Sequence, residues 1–229
     1  MRYVRKPEWP WFRVWNPHTT FRGYYARDGY YQSGWLHLDL TEIELANGSR
    51  FGPEVNVYHE GLRAPFAIAD GVTLPVGGYD FTGIGLDLIT NPSADASLAL
   101  RGDFGPFYNG RRYGGTATLT FRRGASLSSS LLVDYNDVHL AQGNFVRSLA
   151  GARFAWFFTP RVFVQTLAQY NNQQRVWSSN TRFGWLNTAG TGLFVVLNDG
   201  EEADGFFQWR RPQHRSLTIK FTRQLGTGG

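Results

Sequence analysis

The chain contains no cysteine, which excludes disulfides, thiolate nucleophiles and any cysteine-ligated metal centre. It also lacks any apolar run near the roughly 18 residues that a membrane-spanning helix needs, and its mean hydropathy is slightly polar at −0.34. A membrane barrel is not excluded by this, because there each lipid-facing residue alternates with one facing the lumen. Charge is not concentrated: 23 Lys and Arg stand against 18 Asp and Glu, for a net +5. No basic cluster or motif points to nucleic acid, and no such partner is expected. Behind the basic start Met1-Arg2-Tyr3-Val4-Arg5-Lys6 there is no apolar segment, so this is not a signal peptide. An exported protein with this sequence is expected to be a piece of a longer one.

Catalytic motifs are missing as well. There is no Gly-x-Ser-x-Gly elbow, and Gly83-Ile84-Gly85 lacks the third glycine of a dinucleotide loop. His18, His37, His59, His139 and His214 show no metal-ligand spacing such as His-Glu-x-x-His, so neither metal nor cofactor is expected. His139 beside Asp137 shares a run with Ser128 to Ser130, yet along one extended strand these groups lie roughly 25 Å apart. No catalytic residue is assigned. Asn47-Gly48-Ser49 reads as a hairpin turn, not as a glycosylation site.

What the chain has is alternation. From Leu127, odd positions run Leu127, Ser129, Leu131, Val133, Tyr135; after Ala141-Gln142-Gly143, one parity reads Val146, Ser148, Ala150, Ala152, Phe154, Trp156, Phe158. Its opposite parity holds Arg147, Leu149, Gly151 and Arg153, and beyond Thr159-Pro160 the pattern resumes with Val162, Val164, Thr166, Ala168 and Tyr170. Period-two alternation marks strands with one apolar and one polar face. The runs reach roughly 10 to 14 residues, against about 5 or 6 in a typical strand.

The same pattern predicts a strand from about Phe12 to Tyr25, a turn at Arg27-Asp28-Gly29, and a second strand from Tyr30 to Leu45 whose parity slips near Leu40. Asn47-Gly48 predicts a hairpin into a strand through Val55 and Val57. Gly61 to Gly78 reads as a loop packed on itself or folded into a mouth. Strands follow around Ile84–Leu88, Leu98–Asp103, Thr116–Phe121, Trp177–Trp185, Leu193–Asn198 and Ser216–Thr222, with Asp199 to Gln213 as a long loop. Short turns near Asn47, Asn91, Gly124, Thr159 and Ala189 would lie at one rim; at the other, Gly61–Gly78 and Asp199–Gln213 are long, while the connections at Asp28, Asn109 and Gly143 are not. The expectation is one all-β domain over residues 1–229, with an irregular lead-in at 1–10 and a flexible tail at 226–229. Its predicted architecture is an antiparallel up-and-down transmembrane β-barrel of about 12 strands, or the C-terminal part of a larger barrel.

Several phrases carry a family resemblance: Tyr135-Asn136-Asp137-Val138-His139-Leu140, Phe158-Thr159-Pro160-Arg161-Val162-Phe163-Val164-Gln165, Trp177-Ser178-Ser179-Asn180-Thr181-Arg182-Phe183-Gly184-Trp185 and Leu193-Phe194-Val195-Val196-Leu197-Asn198-Asp199-Gly200. Over Trp35 to Phe221 the chain resembles the uncharacterised domain-of-unknown-function 5916 family. That resemblance implies a bacterial outer-membrane barrel following a family-nine-type carbohydrate-binding domain, in a family sometimes labelled hydrolase without an identified site. It implies outer-membrane lipid as a partner, together with a periplasmic or surface carbohydrate-binding domain of the same full-length protein. The chain departs from the pattern in lacking that domain and in ending on Gly226-Thr227-Gly228-Gly229 instead of an aromatic residue.

On the barrel reading, the lumen-facing set is Asp87, Arg101, Asp103, Asp134, Arg147, Arg153 and Arg182. Such residues either bind anionic or sugar-like solutes through planar guanidinium forks, or pair with one another to fill a narrow interior. Trp35, Trp156, Phe158, Tyr170, Trp177 and Trp185 form the expected interfacial girdle. The expected function is a membrane scaffold or pore linked to glycan handling. A membrane-anchored hydrolase and a soluble β-sandwich binding module are the other readings.

Overall fold

The computed structural model describes residues 3–6, 8–187, 191–205 and 208–223, with the side chains of 204 and 208–211 left aside. The expected turn near Ala189 and the tail at 226–229 lie outside the described residues. Described residues are all strand and connection, without a helix.

Fourteen strands share one antiparallel sheet and two more form a separate hairpin sheet, against the expected 12 or so. The first expected strand divides into β1 (Phe12–Trp15) and β2 (His18–Tyr25). Pro17, which has no amide hydrogen to give to a ladder, stands in the gap. The second divides into β3 (Tyr31–Asp39) and β4 (Ile43–Leu45). There the Asp39 Oδ1 accepts the amides of Thr41 and Glu42 at 3.1 and 2.8 Å, bending the chain at the predicted parity slip. At the two turns before and after, Gly29 and Gly48 take φ of 85° and 84°, where a side chain would be strained.

β5 (Arg50–Leu62) pairs with β3 and β4 on one edge and with β8 (Gly77–Ile89) on the other. The stretch between them, expected as a packed loop, holds the hairpin β6 (Phe66–Ala69) and β7 (Val72–Leu74). The chain continues through β9 (Ala96–Phe107), β10 (Gly110–Arg123), β11 (Leu127–Leu140) and β12 (Gly143–Thr159). It ends with β13 (Val162–Asn171), β14 (Val176–Leu186), β15 (Gly192–Gly205) and β16 (Gln208–Thr222), each paired to its sequence neighbour. The expected long loop from Asp199 to Gln213 is therefore mostly ladder, interrupted by register shifts at Gly200–Gly205. Backbone pairing and the Arg215–Asp199 ion pair (2.7 Å) extend this hairpin through residues without apolar alternation, which is why the pattern did not reveal it. Among the described residues the strand order runs open, and no ladder joins β1 or β2 to β16.

By contacts the chain divides into two compact units. One comprises Met1–Ser93, Ser97–Ala117 and Asp134–Arg147; the other comprises Ala94–Ala96, Thr118–Val133 and Ser148–Gly229. In the first, Val72 and Leu74 of β7 pack with Val138 and Leu140 of β11 into a small apolar cluster, flanked by Leu62, Ile68 and Phe145. Leu74 is fully buried. Elsewhere in this unit the two sheet faces differ sharply. One row across β3, β5, β8 and β9 reads Leu38, Val55, Ile84, Phe104; the adjacent row reads Asp39, Glu54, Gly85, Asp103.

The second unit repeats the contrast. Across β12 to β16 one row reads Trp156, Val164, Phe183, Val195, Ile219, and another on the opposite face reads Arg153, Leu167, Asn180, Asn198, Ser216. The apolar parity is not covered: Phe154, Trp156, Phe158, Leu217, Ile219 and Phe221 are all exposed, as are Leu131 and Val133.

Candidate functional site

On the polar face of the first unit, register brings together side chains far apart in sequence. Asp39 faces Glu54 across β3 and β5, Glu54 faces Gly85, and Gly85 faces Asp103. Arg101, two residues before Asp103 and therefore on the same face, lies at the centre of a carboxylate cluster. Its guanidinium donates to Glu54 Oε1 at 2.7 Å and to Asp87 Oδ2 at 2.8 Å, and reaches Asp103 at 3.3 Å. Arg112 approaches Asp103 at 3.9 Å and stacks on Phe107, 4.9 Å from the ring centroid. Glu54 is buried, so its charge depends on these donors for the solvation that water would otherwise supply.

The predicted Asp87, Arg101 and Asp103 are thus brought together, joined by Glu54 and Arg112, which had not been singled out. Parity carried the signal for Glu54, since Val55 and Val57 define the other face of the same strand. Beside the network lies a cleft of about 180 Å³ lined by Asn56, Tyr58, Phe81, Asp103, Tyr108 and Arg112 among others.

Among the described residues Asp134 makes no ion pair with that network; it accepts from Thr116 Oγ1 at 2.6 Å and from Asn136 Nδ2 at 2.9 Å. Arg147 is exposed. Arg153 and Arg182 belong to the second unit, where both line a cleft of about 310 Å³ with Gln165, Leu167 and Asn180. Arg182 lies over Phe194 at 4.4 Å and near Phe163 at 5.8 Å. Among the described residues neither Arg153 nor Arg182 makes an ion pair, so this cleft has positive character. Asn180 donates to Asn198, and Asn198 to Ser216, forming a neutral ladder beside it.

Of the expected girdle, Trp156 and Phe158 stack at 4.7 Å and, with Trp185, are exposed on the apolar face. Tyr170 and Trp177 are cross-strand partners 5.4 Å apart at the other end of the same face, and Tyr170 is buried. Trp35 lies instead on the polar face, where its Nε1 donates to Asn56 Oδ1 at 2.8 Å. It shares parity with His37 and Asp39.

Outside the sheet faces, Arg63 binds both carboxylate oxygens of Asp28 at 2.7 Å and lies 4.2 Å from the Tyr30 ring centroid. The Arg63 hydrogen bonds, helped by the Tyr30 amide, hold the Asp28 carboxyl below its ordinary value.

No family model, curated protein or solved structure matches the chain.

Proposed function

We propose that this chain is a region of a bacterial outer-membrane β-barrel, either a whole barrel or the C-terminal part of a larger one, acting as a membrane scaffold with a pore as the second role. One observation carries the reading: long strands present exposed apolar side chains on one parity and charged or amide side chains on the other. In water such a surface would far exceed the apolar patch an isolated domain tolerates; in lipid it is the required one. From Val162, beside Trp185, to Tyr170, beside Trp177, eight residues span about 27 Å of strand, or about 20 Å of membrane depth at a tilt near 40°. That is close to the roughly 25 Å apolar band of such barrels, with aromatic residues at both limits.

In lipid every backbone donor must be satisfied, so the free edge of β16 requires a partner strand. The same reading takes the apolar rows as lipid-contacting and a carbohydrate-binding domain of the same full-length protein as the partner the scaffold holds. The dense Glu54–Asp87–Arg101–Asp103 network supports a filled interior over an open one.

Refolding into detergent micelles and comparing gel migration with and without boiling tests this. A fast unboiled band that slows on boiling is the expected result for strands that close unaided. Refolding only when upstream strands are supplied identifies the larger barrel. A monodisperse, folded protein in plain buffer overturns the membrane assignment. Single-channel recording of Arg153→Ala and Arg182→Ala distinguishes the roles, since conductance equal to wild type removes the pore from consideration.

A further inference from the structure

His18 opens β2, and His37 and Asp39 close β3. His18 faces Asp39 directly across the hairpin, and His37 is its diagonal neighbour on the same face. Their ligand atoms all lie within 4.8 Å of one another, and the two imidazole Nε2 atoms are 3.2 Å apart. His37 and Asp39 are buried.

The surrounding hydrogen bonds determine which ring nitrogens carry protons. The Trp35 indole can only donate, and it donates to Asn56 Oδ1, while Asn56 Nδ2 donates to Glu54 at 2.9 Å. Asn56 Oδ1 is therefore an acceptor, and His37 Nδ1, 2.9 Å away, is the donor. His18 Nδ1 lies 3.2 Å from the Asn16 carbonyl oxygen, which also only accepts. Both rings thus carry hydrogen at Nδ1, and in neutral histidine that leaves a lone pair on each Nε2. The two lone pairs face each other at 3.2 Å, which is repulsive unless a cation lies between them.

Nitrogens bound about 2.0–2.1 Å from one tetrahedral ion stand roughly 3.3 Å apart, close to the separation seen. The third donor is also oriented. Asp39 Oδ1 is held by the amides of Thr41 and Glu42, which leaves Oδ2 for a ligand. Gly52 borders that oxygen, and a Cβ at that position would come within 3.2 Å of it. The acids Glu42 and Glu54 lie 3.7 and 4.0 Å from the Nδ1 atoms of His18 and His37, with Arg50 3.9 Å from Glu42 and Arg101 on Glu54. This is the arrangement in which outer groups fix ligand tautomers and raise their basicity.

We propose that His18 Nε2, His37 Nε2 and Asp39 Oδ2 form a binding site for a borderline divalent transition-metal ion of the zinc class, with a fourth position left for water or a ligand. All three ligands come from the β2–β3 hairpin, and the site stands whether or not the sheet enters a membrane.

The test is titration of the folded, tag-free, metal-stripped chain with Zn2+, followed by Co2+ as a spectroscopic probe. Expected results are one equivalent of saturable Zn2+ binding and Co2+ ligand-field bands that Zn2+ removes. His37→Ala should weaken binding about 100-fold or more, and Asn56→Ala about 10- to 100-fold, because the acceptor that holds His37 Nδ1–H is lost. His59→Ala, elsewhere on the same sheet, should bind as wild type does. If His37→Ala does not fold, His18→Gln at the less buried ligand carries the test and should give a loss of the same order. A shared proton between the imidazoles in place of a metal would appear as no saturable binding of either ion, and would overturn the proposal. So would binding that survives in His18→Gln, or that falls as far in His59→Ala as in the ligand variants.

Discussion

Ile219 and Thr218 are adjacent in β16, both exposed, and they point to opposite faces. Ile219 ends the apolar row Trp156, Val164, Phe183, Val195. On its parity the nearest polar residues of the β15–β16 hairpin are Arg215 and Arg223, each four positions away. Four residues correspond to about 14 Å of strand and about 10 Å of depth at a 40° tilt, which on the proposed membrane reading places Ile219 near the middle of the band. Arg at a bilayer midplane costs about 2–4 kcal/mol, while substitutions facing the lumen are tolerated. Ile219→Arg should therefore lower the folding equilibrium in lipid roughly 30- to 900-fold, with Thr218→Arg within about 0.5 kcal/mol of wild type. Reversible urea unfolding in lipid vesicles, followed by tryptophan fluorescence, measures both. In a water-soluble protein the two substitutions are equivalent, each placing Arg on open surface. Equal effects, or an Ile219→Arg protein that becomes monodisperse without detergent, would refute the assignment of the apolar parity to lipid.

Other perturbations address the polar network, the small core and the turn. A Cβ at Gly85 would lie 2.5 Å from Glu54 Cγ, so Gly85→Ala should displace Glu54 from Arg101 and cost about 1–3 kcal/mol by denaturant unfolding. Arg101→Met leaves buried Glu54 beside Asp87 and Asp103, for a loss of about 1–3 kcal/mol once the partial exposure of Arg101 is allowed for; adding Glu54→Gln should recover part of it. Leu74→Ala should cost about 2–5 kcal/mol, with proteolysis appearing first at the Asp70-Gly71 turn of the β6–β7 hairpin. Asp28 has a carboxyl lowered in the folded state. Its pairing with Arg63 therefore contributes above the unfolded-state value and is lost as pH falls through the lowered one. Asp28→Asn should match wild type at the acid end of a pH–stability profile and fall below it near neutrality.

The strand pattern was legible wherever one face is apolar: β8 to β14 follow the predicted runs and turns because each needs only its own alternation. The breaks were harder to read. Asp39 divides a predicted strand by capturing two amides with one side chain, and a carboxylate in a polar strand face looks the same in sequence whether or not it does so. The β15–β16 extension carries acids and bases without an apolar parity, and only pairing reveals it. The histidine–aspartate cluster was concealed by a helical template. His18 and His37 have no meaningful spacing along the chain, but they converge once the hairpin is centred on Asp28-Gly29. That turn was itself legible, so reading the register outward from it would have placed His18 opposite Asp39.

The polar face also argues for what the sheet does, through the placement of its smallest residues. Glu54 lies against Gly85, Tyr58 against Gly83, Asn136 against Gly114 and Phe163 against Gly184, in each case where a Cβ on the glycine would meet that side chain. In both units a large polar or aromatic side chain leans across a glycine on a neighbouring strand. Side chains that stood upright on such a face would leave gaps and water-filled space, whereas leaning over a glycine lets them interlock in one layer. A wide aqueous channel has no need of that fit. The interior of the proposed scaffold, filled by its own side chains, does, and there Arg101 and Arg112 offset part of the charge of three carboxylates, since an acid with no partner would bear the full cost of desolvation. On the proposed barrel reading, glycine opposite bulk therefore favours a packed interior over a passage; of the two clefts described, the Arg153–Arg182 one is where the charge is not paired among the described residues.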